Sequence, residues 1–335
     1  MSLPDNVLNL SSNTPDLRPS APFRNVKTWT RADFTPRDWT VPVTVTVKNE
    51  LHSIVDQLTS QNLPLHMLTP DHFDMPKTRA MMAKARGMAD VGPGVAVIDR
   101  LPLDDWNEDQ TRSIYWLLAR LLCRPVAQTM KGTIFRNIRD ILDAERGTDN
   151  AMSQRQLTYH NDNSGNRVLP KFTSLLCLYP SIEGGESEYC SSYTLYNALA
   201  EEAPELLERL FQPFYHDRRG LQANGQPTVS WVPCFAYDGN KLWARFSQMK
   251  IKIGHEQAGA EMDNITRAAL EAVQSIIPQK RLSLRYMMER GQIQIINNRE
   301  GLHYRAHFKD GKTLEQKRHL WRLWHRDEGR PVYDG

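Results

Sequence analysis

From about residue 126 onward the chain breaks into short apolar and β-branched runs separated by turns, and this punctuation limits the fold more than any other feature. Runs at 132–137, 156–160, 172–178, 186–191, 228–235, 242–246, 281–287, 293–296, 302–308 and 318–324 read as strands. Helical periodicity interrupts them at 193–201, 204–211 and 262–277. The last of these puts Met262, Ile265, Ala269, Val273 and Ile276 on one face. Many short strands with a few packing helices predict a mostly β chain: a double-sheet barrel of the jelly-roll type, with helices flanking it.

The part before these strands is more helical. Residues 48–60 carry Leu51, Ile54, Val55 and Leu58 at helical spacing. A second helix is expected over 76–90, with Met81 and Met82 filling core. The Gly-Pro-Gly turn at 92–94 leads into a strand; no Lys-Ser/Thr follows, so it is not a phosphate loop. Asp104 or Asp105 is expected to cap a helix running to about Cys123. Residues 1–40, rich in Pro, Ser and Asn, read as an arm that Trp29 and Trp39 could anchor. One domain then spans 41–335, with its barrel at about 90–330.

Composition excludes several function classes. The net charge is only +3 and comes from mixed signs, with no Lys/Arg stripe, so nucleic acid is not an expected partner. Four cysteines without a Cys-x-x-Cys pair read as reduced thiols, not a zinc site or a disulfide scaffold. The N-terminal stretch lacks the apolar core of a secretory signal. The longest apolar run, 114–123, is broken by Arg120 and too short to span a bilayer. A cytoplasmic protein without a membrane partner is expected; nothing speaks to its oligomeric state.

The strand at 156–160 runs into His160-Asn161-Asp162. On a strand, residues i and i+2 share a face, so His160 and Asp162 would project into one cavity. An imidazole and a carboxylate together are two-thirds of a facial 2-His-1-carboxylate metal site. The plainer reading is a satisfied pair at a strand end, because His-x-Asp arises often by chance. A third donor could come from His303 or His307. Further on, Arg318, Leu320 and Arg322 share a face by the same period. Two inward arginines need an anion, and a carboxylate bound bidentately would serve. The alternative has both in solvent while Trp321 and Leu323 fill the core.

These segments stand in an order that resembles the taurine dioxygenase / clavaminate synthase-like family of Fe(II)- and 2-oxoglutarate-dependent oxygenases. They are His160-Asn-Asp162, then Gly184-Gly-Glu-Ser-Glu-Tyr-Cys-Ser-Ser192 followed by a helix and Pro204-Glu-Leu-Leu. Asn297-Asn-Arg, His303-Tyr-Arg and Arg318-His-Leu-Trp-Arg-Leu-Trp324 follow, with Arg318 15 residues after His303. The resemblance covers roughly residues 90–332. It implies a jelly-roll enzyme using Fe(II), 2-oxoglutarate as co-substrate, and O2. It assigns His160, Asp162 and His303 to the metal; His303 is preferred to His307 because it follows the Asn-Asn-Arg strand. It puts Arg318 on the far carboxylate of 2-oxoglutarate and Ser187 where the family often has a co-substrate-binding Thr. Arg322 falls at a position near a co-substrate or substrate carboxylate. Glu300-Gly301 departs from a more usual apolar pair, which questions the register of this strand.

Asp162 also bears on the reaction. Related halogenases have a small residue there, leaving room for chloride, so a carboxylate implies hydroxylation, with desaturation or cyclisation as variants. A metal-binding barrel without catalysis would have no reason to keep the triad and Arg318. A zinc hydrolase would have no use for Arg318 or Ser187. The expected substrate is a small polar molecule: an amino acid, small acid or natural-product intermediate. The loops at 163–171 and 212–229 would face it, with Asn163 and Arg167 as candidate contacts. The plainer reading of each is an ordinary polar turn.

Overall fold

The computed structural model describes residues 3–61, 63–140 and 156–333. The stretch before residue 140 holds β1 (Val7–Asn9), α1 (Pro36–Trp39), β2 (Thr40–Val41), α2 (Val45–Gln61), α3 (Pro76–Asp90), β3 (Val95–Ile98), α4 (Glu108–Leu122), β4 (Pro125–Val126) and β5 (Arg136–Arg139). The middle holds β6 (Leu157–His160), β7 (Phe172–Tyr179), β8 (Glu183–Gly184), β9 (Ser187–Ser191), α5 (Ser192–Glu202), α6 (Pro204–Phe211), β10 (Pro213–Asp217), β11 (Val229–Pro233), β12 (Phe235–Tyr237) and β13 (Leu242–Ala244). The rest is α7 (Gln248–Ala258), α8 (Asn264–Gln279), β14 (Ser283–Tyr286), β15 (Ile293–Asn297), β16 (Gly301–Arg305), β17 (Phe308–Lys309) and β18 (His319–His325). Helices hold more of the described residues than strands do. The expectation of a mostly β chain is corrected to mixed sheets with flanking helices.

Seven strands form one sheet in the order β2-β3-β15-β7-β18-β4, with β5 also paired to β18. Its composition sets its two faces. Along β7, Phe172, Leu176 and Leu178 join Trp321 and Leu323 of β18 against the helices α2, α3 and α4. Burying such side chains contributes roughly 2 kcal/mol each. The residues between them, Thr173, Cys177, Leu320, Arg322 and Trp324, therefore turn to the opposite side. Both Arg318 and Arg322 are buried although Trp321 and Leu323 also fill core, because the sheet is covered on both faces.

The second sheet, β14-β9-β16-β6, has four strands. Its Leu302 and Cys190 pack outward against α5, α6 and α8. Its other face meets the seven-stranded sheet: Asp162, just past β6, bonds to Thr173 on β7 and to Arg322 and Trp324 on β18. Asn161 fastens this junction, donating to the carbonyls of Asn298 and Gly301 and accepting from Phe246 N.

The structure corrects several local expectations. The cap of α4 is Asn107, reciprocated by Gln110; Asp104 and Asp105 lie in a preceding 3-10 turn. The run at 228–235 divides at Cys234 into β11 and β12, and that at 302–308 into β16 and β17. The presumed loop 212–229 begins with β10. The helix α7 was not expected, because Lys250-Ile-Lys-Ile alternates like a strand. Gly254 lets α7 lie on β10, since a Cβ there would sit 2.5 Å from the Tyr215 carbonyl oxygen.

The first 40 residues are tied into the fold. Strand β1 pairs in parallel with β11. Trp29 and Trp39 are buried, and Trp29 Nε1 donates to the Pro93 carbonyl. Among the described residues, no helix is long and apolar enough to cross a membrane.

Candidate active site

Strands β6 and β16 run antiparallel with His160 directly opposite His303, and the ring centroids lie 4.2 Å apart. This register depends on the pair that departs from the family pattern. Glu300 is an internal anchor: Lys27 of the N-terminal arm reaches it at 2.6 Å, and Tyr193 and Asn297 donate to it. Gly301 is required because a Cβ there would collide with the Tyr189 hydroxyl across the β16–β9 pairing. The departure thus leaves His303 facing His160.

One donor atom each from His160, Asp162 and His303 falls within 4.8 Å of the others. The exposed His307 lies beyond the end of β16 and is not in this group. His160 Nδ1 is 2.7 Å from the Thr158 carbonyl. A carbonyl only accepts, so Nδ1 carries the proton and Nε2 keeps its lone pair for a ligand. Burial lowers the pKa of His160. Burial and the neighbouring His160 push His303 down to about 3, and its Nδ1 has no hydrogen-bond partner among the described residues. Both rings are therefore neutral near pH 7, the form that binds metals.

Asp162 is held from three sides. Arg322 Nη1 donates to Oδ1 at 2.9 Å; Trp324 Nε1, at 2.9 Å, and Thr173 Oγ1, at 3.1 Å, donate to Oδ2. Burial opposes its ionisation, but Arg322, the two imidazoles and Trp324 outweigh it and hold the carboxyl well below its usual range. Its backbone N–H donates to the Asn298 side chain, which donates back to the Asp162 carbonyl. Two imidazoles and one carboxylate converging within 4.8 Å suit a divalent transition metal with positions left open.

The other residues named from the sequence fall in distinct places. Arg318 is buried over the Phe308 ring, 5.4 Å from its centroid, and its Nη1 has no hydrogen-bond partner among the described residues. Burial disfavours its charge, although Cys177 and Asp310 support it. The Gly184-Gly185 segment lies beside it through the pairing of β8 with β17. Ser187 is buried at the start of β9 next to Arg305. Arg322 is turned to Asp162 and Gln128. Asn163 takes a left-handed conformation, φ 62°, and its amide bonds to Val168, Asn166 and Tyr333, so it shapes its loop. Arg167 is exposed, bonds to Gln226 and lines a separate cavity.

A cavity of about 580 Å3 opens onto His160, Asp162, Arg322 and Trp324. Arg318 and Ser187 are not among its lining residues. One wall is the helix α7, with Gln248, Met249 and Lys250. Sequence reasoning missed this wall and the supports Thr173, Trp324, Gln128, Asn161 and Asn298. Trp324 could have been found, since it continues the period of Arg318 and Arg322.

Comparison with known proteins bears on the fold and the family. The chain is 25% identical over 315 residues to the FR-33289 synthase of Streptomyces rubellomurinus, covering 90% of each. The fold matches an asparagine oxygenase solved with Fe(II), 2S,3S-3-hydroxyasparagine and succinate: TM-score 0.66, 18% identity, 86% of this chain and 94% of that one. It also matches the non-haem iron oxygenase OrfP solved with Fe and alpha-ketoglutaric acid, with TM-score 0.64, 16% identity and the same coverages. With the family match over residues 61–324, the class is that of the 2-oxoglutarate-dependent non-haem iron oxygenases, and the protein is an oxidoreductase. Within that class, the profile of the taurine catabolism dioxygenase TauD, TfdA family matches residues 61–324, and the chain belongs to this family. The family uses Fe(II), 2-oxoglutarate and O2.

Proposed function

We propose that this enzyme hydroxylates an unactivated C–H bond of a small polar molecule, releasing succinate and CO2, from a jelly-roll core formed by the two facing sheets. The observation that carries the reading is the convergence of His160, Asp162 and His303 within 4.8 Å, with His160 and Asp162 lining the cavity. His160 through Nε2, His303 and the Asp162 carboxylate would hold Fe(II). Bound there with 2-oxoglutarate, iron supplies the activation of O2 that the side chains cannot.

The protein's part is to bind, orient and exclude water. Thr158 fixes the His160 tautomer. Arg322, Trp324 and Thr173 keep Asp162 ionised and aimed. Arg318 receives the far carboxylate of 2-oxoglutarate, which satisfies its unpartnered Nη1, with the Ser187 hydroxyl as a further contact. Phe308 and Leu320 keep that end dry. Hydroxylation is favoured over halogenation because the Asp162 carboxylate occupies the place an added halide needs.

The test is anaerobic addition of Fe(II) and 2-oxoglutarate, followed by a succinate-release screen over amino acids and small acids. A weak visible charge-transfer band from the keto acid chelated on ferrous iron is expected. Zinc bound in place of iron, with no band, would favour a hydrolase instead.

A further inference from the structure

Strand β6 carries one residue more than its partner. Its register with β16 sets His160 opposite His303 and Leu157 opposite Arg305, so Thr158 and Tyr159 together face Tyr304 alone. Two residues against one make a β-bulge. The bulge decides where His160 points. Residues three apart on a regular strand face opposite sides, while His303 and Arg305, two apart, share a side. The extra residue brings His160 onto the face of His303 while Leu157 stays opposite Arg305. Thr158, unpaired in this register, offers its carbonyl to the His160 Nδ1–H.

A bulged edge strand leaves backbone groups that no neighbouring strand can bond. β6 is the edge of its four-stranded sheet. At Tyr159 the need is met by Gln274 of α8, which clasps it at two points. The Tyr159 N–H donates to Gln274 Oε1 at 3.0 Å, and Gln274 Nε2 donates to the Tyr159 carbonyl at 2.9 Å. One side-chain amide stands in for the next strand and uses both its donor and its acceptor to do so. Packing holds the clasp in place: Leu270, one turn before Gln274, and Val273, beside it, are fully buried in the core under α8. The Tyr159 hydroxyl is fastened as well, to Glu188 at 2.5 Å and to Ser283. Just past His160, the Asn161 N–H donates to the Phe246 carbonyl. Leu157, Thr158 and His160 line the cavity, and Gln274 does not, so whatever it does for the site passes through β6.

We propose that Gln274 is a positioning residue: its clasp on Tyr159 holds the β6 bulge in the register that aims the His160 imidazole at the metal. The inference deepens the oxygenase reading and rests on the metal triad named there. Without the clasp, the N–H and C=O of a buried residue lose their partners. The strand relieves them by letting the bulge shift, and a shift of one position turns His160 toward the opposite face. Gln274 itself touches neither the metal nor the cavity.

The test compares the full chain with two variants. Gln274→Met keeps the side-chain volume and removes both bonds. Val273→Ala takes packing from the same helix and leaves the two bonds in place. Each is titrated with cobalt(II), a divalent ion that suits two imidazoles and a carboxylate and absorbs in the visible range. Gln274→Met is expected to raise the cobalt Kd about tenfold or more and to alter the visible spectrum of the bound ion. Val273→Ala is expected to lower the urea midpoint and to change neither. Should Gln274→Met not fold, Gln274→Glu, which keeps the acceptor and loses the donor, is read in the same way. The proposal is overturned if the Gln274 variant binds cobalt as tightly as wild type, or if Val273→Ala weakens cobalt equally. If wild type binds no cobalt, the triad reading fails, and 15N-histidine spectra of the metal-free chain still test the clasp. There the Nδ1–H form of His160, identified by its loss in His160→Gln, should persist in Val273→Ala and give way to a tautomer mixture in Gln274→Met. Its persistence in Gln274→Met overturns the proposal.

Discussion

The carboxylate of Asp162 and the guanidinium of Arg322 meet at 2.9 Å between the two sheets, with both side chains about nine-tenths buried. A pair this enclosed orients as much as it stabilises. Arg322→Met should therefore weaken Fe(II) binding by about tenfold or more, because Asp162 loses the donor that aims Oδ1. Competition with a metal-binding dye reads this directly. Unchanged affinity would make the pair a purely structural contact.

Arg318 should separate from Arg322 in the same assays. Arg318→Ala is expected to raise the KM for 2-oxoglutarate by about tenfold to a hundredfold and to leave metal affinity near wild type. Asp162→Ala, in contrast, should abolish succinate formation at every co-substrate concentration. Equal KM values for Arg318→Ala and wild type would sink the assignment of Arg318.

Lys27 ties the N-terminal arm to Glu300, three residues before His303. Removing one partner of a buried pair leaves the other charge uncompensated. Lys27→Met should cost roughly 3–5 kcal/mol in urea unfolding, and the double variant with Glu300→Gln should recover part of it. A loss below roughly 1 kcal/mol would mean that Tyr193 and Asn297 suffice for Glu300.

His325 makes stability depend on pH. Its Nδ1 donates to the Cys123 carbonyl, so Nε2 accepts from Ser174, whose oxygen in turn takes the Tyr115 hydroxyl proton. Burial pushes its pKa from 6.5 down to about 4. The unfolded chain binds the proton first as pH falls. The stability from neutral His325 is thus complete above about 6.5 and is lost between there and about 4, by roughly 3 kcal/mol. Urea midpoints at pH 7 and 4.5 should converge in His325→Asn more than in wild type.

How far the site was legible can be followed residue by residue. His160, Asp162 and His303 were visible because each sits on a strand whose period or motif spacing survives in one dimension. Arg322 was visible as an inward cation, but its partner was not: the choice between Asp162 and a ligand carboxylate depends on the distance between two sheets. Asn161, just past β6, bonds to the 298–301 segment across 137 and 140 positions of sequence, a contact no local pattern announces. The α7 wall could not be found, because its segment alternates like a strand and only packing on β10 makes it a helix.

The period of two along β7 and β18 was by itself enough to determine which side chains share a face, since a pleated strand allows only two faces. The sequence likewise determined the donor types, two imidazoles and a carboxylate, and the order in which they arrive. Tertiary structure decided what those faces meet. The donors at 160, 162 and 303 converge only when the two sheets close on one another, and α7 becomes a wall of the cavity only once Gly254 lets it settle on β10. Local pattern sets direction along the chain; the distances on which the chemistry depends come from contacts far apart in sequence.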